Sequence, residues 1–256
     1  MVRKLLKHEL IALFRVVYIP AIVMIALAVL LRISIAGANE DTTAFVVMLG
    51  VFYVFALLAT ELVCFAVSVS RFYKSFFSGE GYMTLSLPAT ASQLIWAKLL
   101  SALVAMLFGT VACVLSGCIF FIGLPEGFFA ILAEIFGELG ELIAMAIRQE
   151  PMLLVEAIIQ FIVMIPAGLL VFYLVISIAQ LFTTKNRKGM IFLIYFGGAF
   201  ICGIVSSLVV EPLNDLMMAV SYHLAMWMSI LFYAAVDVGS FFIVRHILTH
   251  KVNMTA

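Results

Sequence analysis

The sequence AFVVMLGVFYVFALLATELVCFAVSV, residues 44–69, contains a single charged side chain, Glu61. An apolar run longer than about 18 residues is long enough to cross the hydrocarbon core of a bilayer as one helix. Runs of this kind recur along the chain and predict six transmembrane helices, hereafter spans 1 to 6. Their predicted ranges are residues 17–37, 44–69, 94–123, 152–182, 190–210 and 224–246.

The composition of the chain supports the same fold class. Of the 256 residues, 66% are hydrophobic and 11% are charged, and the mean hydropathy is +1.27. Soluble domains carry roughly 25% charged residues, so this composition excludes an ordinary soluble domain. We therefore predict an all-α polytopic membrane protein in which residues 1–256 form one transmembrane domain.

The basic residues are distributed asymmetrically. Twelve of the fourteen Lys and Arg lie in, or within a few residues of, the N-terminus, the loop between spans 2 and 3, the loop between spans 4 and 5, and the C-terminus. An even number of spans puts these four segments on one side of the membrane, and the positive-inside rule makes that side the cytoplasm. Both termini are therefore predicted to be cytoplasmic.

Three further helices are predicted outside the spans. Residues 1–16 are amphipathic, with apolar residues on one face and the basic residues between Arg3 and His8 on the other, which is typical of a helix in the cytoplasmic interface. Residues 125–150 have helical periodicity and an acidic stripe, which predicts a helix on the outer surface. We interpret the stripe as a solvated face; the alternative is an acidic rim that attracts or releases cationic peptides. Residues 211–223 are too short for a span and predict a short re-entrant or surface helix.

The loop after span 2 has a structure of its own. It reads RFYKSFFSGEGYMTLSLPATASQLIWAKLL over residues 71–100. The Gly-Glu-Gly sequence ending at Gly81 permits a sharp reversal, and one or two helical turns can follow. Pro88 ends them, because its ring restricts the preceding residue to extended geometry. Thr90 and Gln93 then form a capping-box pattern that opens span 3.

A short helix between two spans protrudes into the cytoplasm without building a domain, which suits a docking element. Trp96 and Lys98, at the start of span 3, are expected to anchor that span at the inner interface. The chain contains no GxxxxGK[ST] phosphate loop, no HExxH and no GxSxG motif, so an energy-coupling ATPase is expected to be a separate chain.

The 71–100 sequence resembles the first cytoplasmic loop of permease subunits of type-2 ABC exporters, in the form common in Gram-positive bacteria. Its aromatic-basic exit, its acidic Glu-Gly, its Leu-Pro and its Lys stand at the relative places usual for that family. The ending ILTHKVNM, residues 247–254, is similar to the usual finish of the family, and residues 1–16 resemble its elbow helix. The 125–150 segment is longer than is usual in the family.

The resemblance implies a permease in the bacterial cytoplasmic membrane that dimerises with itself or with a related permease and docks two ATPase subunits. ATP and Mg²⁺ would be bound by those partners, with no cofactor in this chain. Within the cytoplasmic coupling loop, residues 71–93, the short helix would act as the coupling helix that inserts into the ATPase. The residues assigned to this contact are Glu80, Gly81, Tyr82, Met83, Leu85 and Pro88.

Two roles are open for Glu80. A carboxylate near a helix N-terminus is stabilised by the helix dipole by about 0.3–1 kcal/mol. The alternative is an ion pair or hydrogen bond with the ATPase, and the two roles are compatible. Tyr82, Met83 and Leu85 would supply the apolar part of the contact.

Two carboxyl groups lie deep within predicted spans, Glu61 in span 2 and Asp237 in span 6. An ionisable group at that depth costs about 2.5–3.5 kcal/mol on insertion scales, so both should face the bundle interior or water. They could line a translocation path. The alternative is a polar seam, in which each carboxyl group is hydrogen-bonded and holds neighbouring helices together.

The other polar residues of the spans suggest no chemistry. Glu156 and Arg32, near the outer ends of their spans, are expected to be solvated at the interface, and His223 alone does not predict a metal site. The cysteines show no CxxC spacing and no accompanying His, so we interpret them as small buried hydrophobes, without disulfide or metal. They are Cys64, Cys113, Cys118 and Cys202.

Three function classes are compatible with a polytopic membrane protein. The leading one is the permease of an ATP-driven exporter that moves an amphiphilic or peptide-like substrate. The alternative is a membrane sensor or immunity protein that binds an antimicrobial peptide without transporting it. An intramembrane enzyme would need a cluster of catalytic side chains within the spans, and Glu61 and Asp237 alone do not provide one. Nothing in the charge pattern indicates nucleic-acid binding, and the lipid bilayer is the other expected partner.

Overall fold

The computed structural model describes residues 2–37, 42–77, 89–121, 137–138, 140–141, 150–182, 189, 194, 196–198, 208 and 211–250. The regular structure in these ranges is helical and includes no strand, as predicted for an all-α protein, and six of the helices are described over ten or more residues. They are α1 (Val2–Ala36), α2 (Thr43–Phe77), α3 (Ala91–Phe121), α4 (Pro151–Phe182), α5 (Glu211–Val220) and α6 (Tyr222–His250).

Five of these helices, α1, α2, α3, α4 and α6, are long and apolar enough to cross a membrane. They cover predicted spans 1 to 4 and 6 to within two residues at the ends. Large apolar side chains lie exposed along them, such as Phe55 and Leu62 on α2, where hydrocarbon would surround them. The chain is therefore a membrane-embedded protein with several spanning helices. Predicted span 5, residues 190–210, lies almost wholly outside the described residues and stays a prediction.

Helix α1 joins two segments that the sequence analysis separated. We predicted an interfacial helix over residues 1–16 and a span that begins at residue 17, whereas α1 runs without interruption from Val2 to Ala36. The sequence has no Gly or Pro before Pro20 that would break the helix. At 35 residues α1 is about 52 Å long, which exceeds the ~30 Å hydrocarbon core, so part of it extends beyond the core.

The chain divides into two compact units, residues 1–72 with 96–132 and residues 73–95 with 133–256. In the first unit, one face of α1 is buried against α2 and α3. Phe14 of α1 meets Phe108 of α3 edge to face, with ring centroids 5.0 Å apart. The buried α1 residues recur every three or four positions, which is the spacing of one helical face: Leu13, Val17, Ala21, Met24, Ala28 and Leu31.

Helices α2 and α3 approach closely at Gly109 of α3. A Cβ atom at this position would lie 2.9 Å from the Cys64 Sγ atom and 3.3 Å from a carboxylate oxygen of Glu61, both on α2. Small residues at such contacts let the backbones of neighbouring membrane helices come together. Gly109 therefore sets the separation of α2 and α3 beside Glu61.

Filling this contact should destabilise the protein. We expect Gly109→Val to lower the free energy of unfolding by about 1–3 kcal/mol, the usual cost of overpacking, as measured by denaturant titration in detergent micelles. Gly117→Val is the matched control on the same helix, since a Cβ at Gly117 would meet only a ring carbon of Phe121, at 3.9 Å. Equal stabilities of the two variants would contradict the close approach at Gly109.

In the second unit, α6 packs against both α4 and α5. Pro166 was predicted to bend span 4, and it lies inside α4, which stays a continuous helix around it. Helix α5, from Glu211 to Val220, confirms the short helix predicted before span 6. The residues buried on α6 are Ala225, Ile230, Ser240, Val244, Ile247 and Leu248.

Candidate functional sites

The two ends of the predicted coupling loop are described, and its tip is not. Helix α2 ends at Phe77 and α3 begins at Ala91. The Thr90 backbone N–H donates to Gln93 Oε1 at 3.3 Å, and the Gln93 backbone N–H donates to Thr90 Oγ1 at 3.4 Å. This reciprocal pair confirms the capping box predicted from sequence. The assigned contact residues lie outside the described residues and stay predictions: Glu80, Gly81, Tyr82, Met83, Leu85 and Pro88.

Glu9 of α1 joins the helices on either side of this loop. Its Oε1 atom lies 2.6 Å from the Lys98 Nζ atom of α3, and its Oε2 atom lies 3.5 Å from the Arg71 Nε atom of α2. The Lys98 side chain is only 5% exposed, so its ammonium group pairs with Glu9 largely out of water. We call these three residues the Glu9 cluster.

The Glu9 cluster corrects the role predicted for Lys98. We expected Lys98 to anchor span 3 at the interface together with Trp96; Trp96 is 48% exposed, but Lys98 is buried. The carboxylate of Glu9 compensates the ammonium charge, so Lys98 does not have to reach water. Glu9 was missed, although it is the only acidic residue before Glu40 and stands among several cations.

Glu61 is hydrogen-bonded within the first unit. The Thr110 hydroxyl of α3 donates to Glu61 Oε1 at 3.1 Å, and the Cys113 Sγ atom lies 4.0 Å from the same oxygen. The Cys113 Sγ atom also lies 3.7 Å from the Met24 Sδ atom of α1. These contacts are compatible with the polar-seam alternative, and both the polar seam and the translocation path stay predictions.

The three described cysteines, Cys64, Cys113 and Cys118, are free thiols. Cys64 is buried and Cys113 is partly buried, but Cys118 is exposed on the isolated chain, so the prediction of burial is wrong for Cys118. Cys202 lies outside the described residues. Among the residues the structure describes, no group of three or more His, Cys, Asp or Glu could hold a metal ion.

Asp237 of α6 differs from Glu61 in its bonding. Its Oδ1 atom is buried and has no hydrogen-bond partner. Asp237 belongs to the second unit and Glu61 to the first. The described contacts therefore give a polar-seam partner to Glu61 and none to this oxygen of Asp237.

Glu156 of α4 is buried at 1% exposure, which corrects the prediction that the interface solvates it. Its Oε2 atom lies 2.8 Å from His223 Nδ1 of α6, and His223 Nε2 lies 3.5 Å from a carboxylate oxygen of Glu150. The imidazole thus stands between two carboxylates and links α4 to α6. The pairing was not predicted, because Glu156 and His223 are 67 positions apart in the chain.

Comparisons of this chain with protein-family models, with curated proteins and with solved structures find no match.

Proposed function

We propose that this chain is the transmembrane permease subunit of an ATP-driven exporter, with ATP hydrolysed by a separate subunit. The observation that carries the proposal is the 71–100 loop, whose aromatic-basic exit, Gly-Glu-Gly and Leu-Pro resemble the coupling loop of type-2 ABC exporters. The described helices support it, since α2 and α3 are both long enough to cross a membrane and flank this loop. A short protruding segment between two such helices suits a docking element.

In the proposed mechanism, closure of the ATPase on ATP pushes the coupling loop. The push passes to α2 and α3, because both are continuous helices from the loop into the membrane. Two permeases, identical or related, tilt against each other and alternate between states open to the inside and to the outside. The substrate class is an amphiphilic or peptide-like molecule. ATP and Mg²⁺ are bound by the partner, and the loop faces the cytoplasm of a bacterial cell.

The experiment that tests the proposal is purification of the tagged full-length chain from its own membrane in mild detergent. We expect an ATP-binding subunit with a Walker motif to co-purify in fixed stoichiometry and to hydrolyse ATP in the complex. Recovery of the chain without any such subunit would contradict the proposal and favour the non-transporting sensor or immunity protein.

Replacement of Glu61 separates the polar seam from the translocation path. Glu61→Gln keeps an acceptor for the Thr110 hydroxyl, so we expect ATP hydrolysis in the complex to stay within about twofold of wild type. Glu61→Leu removes the acceptor and should cost about 1 kcal/mol of stability, the usual value of a hydrogen bond between membrane helices. Both quantities are measured on the purified complex. Loss of hydrolysis in a stable Glu61→Gln variant would favour the path.

A further inference from the structure

We propose that Glu9 is a positioning residue for coupling: it fastens α1 to both helices that flank the coupling loop, so that a push on the loop moves three helices together. The inference rests on the proposed function. It adds a residue that the sequence analysis did not assign to any role, on a helix that does not belong to the loop.

The two cations of the Glu9 cluster flank the tip of the coupling loop in the sequence. Arg71 precedes residues 78–88 and Lys98 follows them, so the two cations stand on either side of the tip of the loop. Glu9 contacts both through its two carboxylate oxygens. A single side chain of α1 therefore connects the entry and the exit of the loop.

An apolar group lies next to the Glu9 cluster along α1. Leu13 and Val17 follow Glu9 at four-residue intervals and lie on the same face of α1. They pack with Cys64 of α2 and Ala105 of α3 in one buried group. The ion cluster and this apolar group thus hold the same three helices at successive turns of α1, and a displacement of α2 and α3 at the cluster carries α1 with it.

The two contacts of Glu9, with Lys98 and with Arg71, differ in strength. The contact between Glu9 and Lys98 is an ion pair at 2.6 Å whose ammonium side is only 5% exposed, and short contacts between charged groups are the stronger kind. The contact between Glu9 and Arg71 is an ion pair at 3.5 Å, and neither Glu9 Oε2 nor Arg71 Nε makes a hydrogen bond. The contact with Lys98 on α3 is therefore the stronger of the two, and the contact with Arg71 on α2 is the weaker.

Exposed charges on the same helix provide a contrast. Arg3, Lys4, Lys7 and His8 lie within the first two turns of α1 and are exposed. Lys7 is two positions from Glu9, so replacing it changes the charge of the same segment without touching the cluster. Lys7→Gln is thus the matched control for Glu9→Gln.

The test uses the full-length chain with the ATP-binding subunit that co-purifies with it, reconstituted in lipid nanodiscs. The Kd for that subunit and the rate of ATP hydrolysis at saturation are measured separately. We expect Glu9→Gln to leave the Kd within about twofold and to lower the rate at least about fivefold. Lys98→Arg keeps a cation opposite Glu9 and is expected to retain at least about half of the wild-type rate. Lys7→Gln should match wild type in both quantities.

The other outcomes would contradict the role proposed for Glu9 or the proposed function. A wild-type rate in folded Glu9→Gln overturns the inference and leaves the proposed function intact, even if thermal stability falls. A rise in Kd with an unchanged rate at saturation assigns Glu9 to docking instead. If Lys98→Arg lowers the rate of ATP hydrolysis as much as Glu9→Gln does, the ion pair between Glu9 and Lys98 is not the cause of the loss. If Glu9→Gln does not fold, Glu9→Asp replaces it in the test, because it keeps the charge but has a shorter side chain. We expect Glu9→Asp to lower the rate of ATP hydrolysis, and an unchanged rate would overturn the inference. A wild-type chain that binds no ATP-binding subunit overturns the proposed function and this inference with it.

Discussion

Replacing Glu80 and Tyr82 together, by Glu80→Gln and Tyr82→Ala, is expected to weaken binding of the ATP-binding subunit by about thirtyfold. The reason is that an aromatic anchor and a charged contact at the centre of an interface typically contribute at least about 2 kcal/mol of binding free energy. The Kd is measured by titrating the purified ATP-binding subunit onto the chain in nanodiscs. ATP hydrolysis at subsaturating concentrations of that subunit should fall in parallel.

Ser86→Ala is the matched control for this double replacement, because Ser86 lies in the same loop and is not assigned to the contact. We expect its Kd to equal that of wild type. A wild-type Kd and wild-type ATP hydrolysis in the Glu80 and Tyr82 variant would show that the loop is not the coupling element, whatever else the chain binds.

Removal of Glu9 by Glu9→Ala is expected to destabilise the protein by about 3 kcal/mol. The replacement leaves the buried ammonium of Lys98 without its carboxylate, and breaking a buried ion pair from one side usually costs about 3–5 kcal/mol. Lys98 is 5% exposed, so water can compensate little of this loss. The free energy of unfolding is measured by denaturant titration in detergent micelles.

The double replacement Glu9→Leu with Lys98→Met tests the reason for this loss. Removing both charges leaves no unpaired ammonium group, and apolar substitutes for a buried pair are often neutral in stability. We therefore expect the double variant to recover most of the stability that Glu9→Ala loses. A Glu9→Ala variant within about 0.5 kcal/mol of wild type, as for an ordinary surface substitution, would contradict the buried pairing.

Local features of the sequence predicted local features of the structure well. The apolar run at residues 44–69 lies within α2, because burying its backbone in hydrocarbon requires a helix. The capping box at Thr90 and Gln93 is also local, since its partners are three residues apart and depend on nothing else in the fold. The amphipathic pattern of residues 1–16 identified a helix correctly. That helix was predicted as a separate interfacial element leading into span 1, whereas α1 is continuous, because amphipathicity defines a helical face and not the direction of the axis.

The pairings between helices could not be predicted from these patterns. Lys98 looked like an interfacial anchor because only its position at the start of a span was visible. Its partner, Glu9, is on another helix, and their contact depends on how α1 and α3 are rotated about their axes. The same reason applies to Glu156 and His223, which the fold brings within 2.8 Å.

Photo-crosslinking from position 82 tests whether an ATPase grips the coupling loop inside the cell. A photoreactive amino acid replaces Tyr82 in intact cells, and the adducts are identified by mass spectrometry, with Asn39, in the loop predicted to face outward, as the control position. We predict an adduct between position 82 and an ATP-binding protein, and none from position 39. Adducts of position 82 that contain no ATP-binding protein, or the same ATP-binding protein captured from position 39, would contradict the proposed exporter.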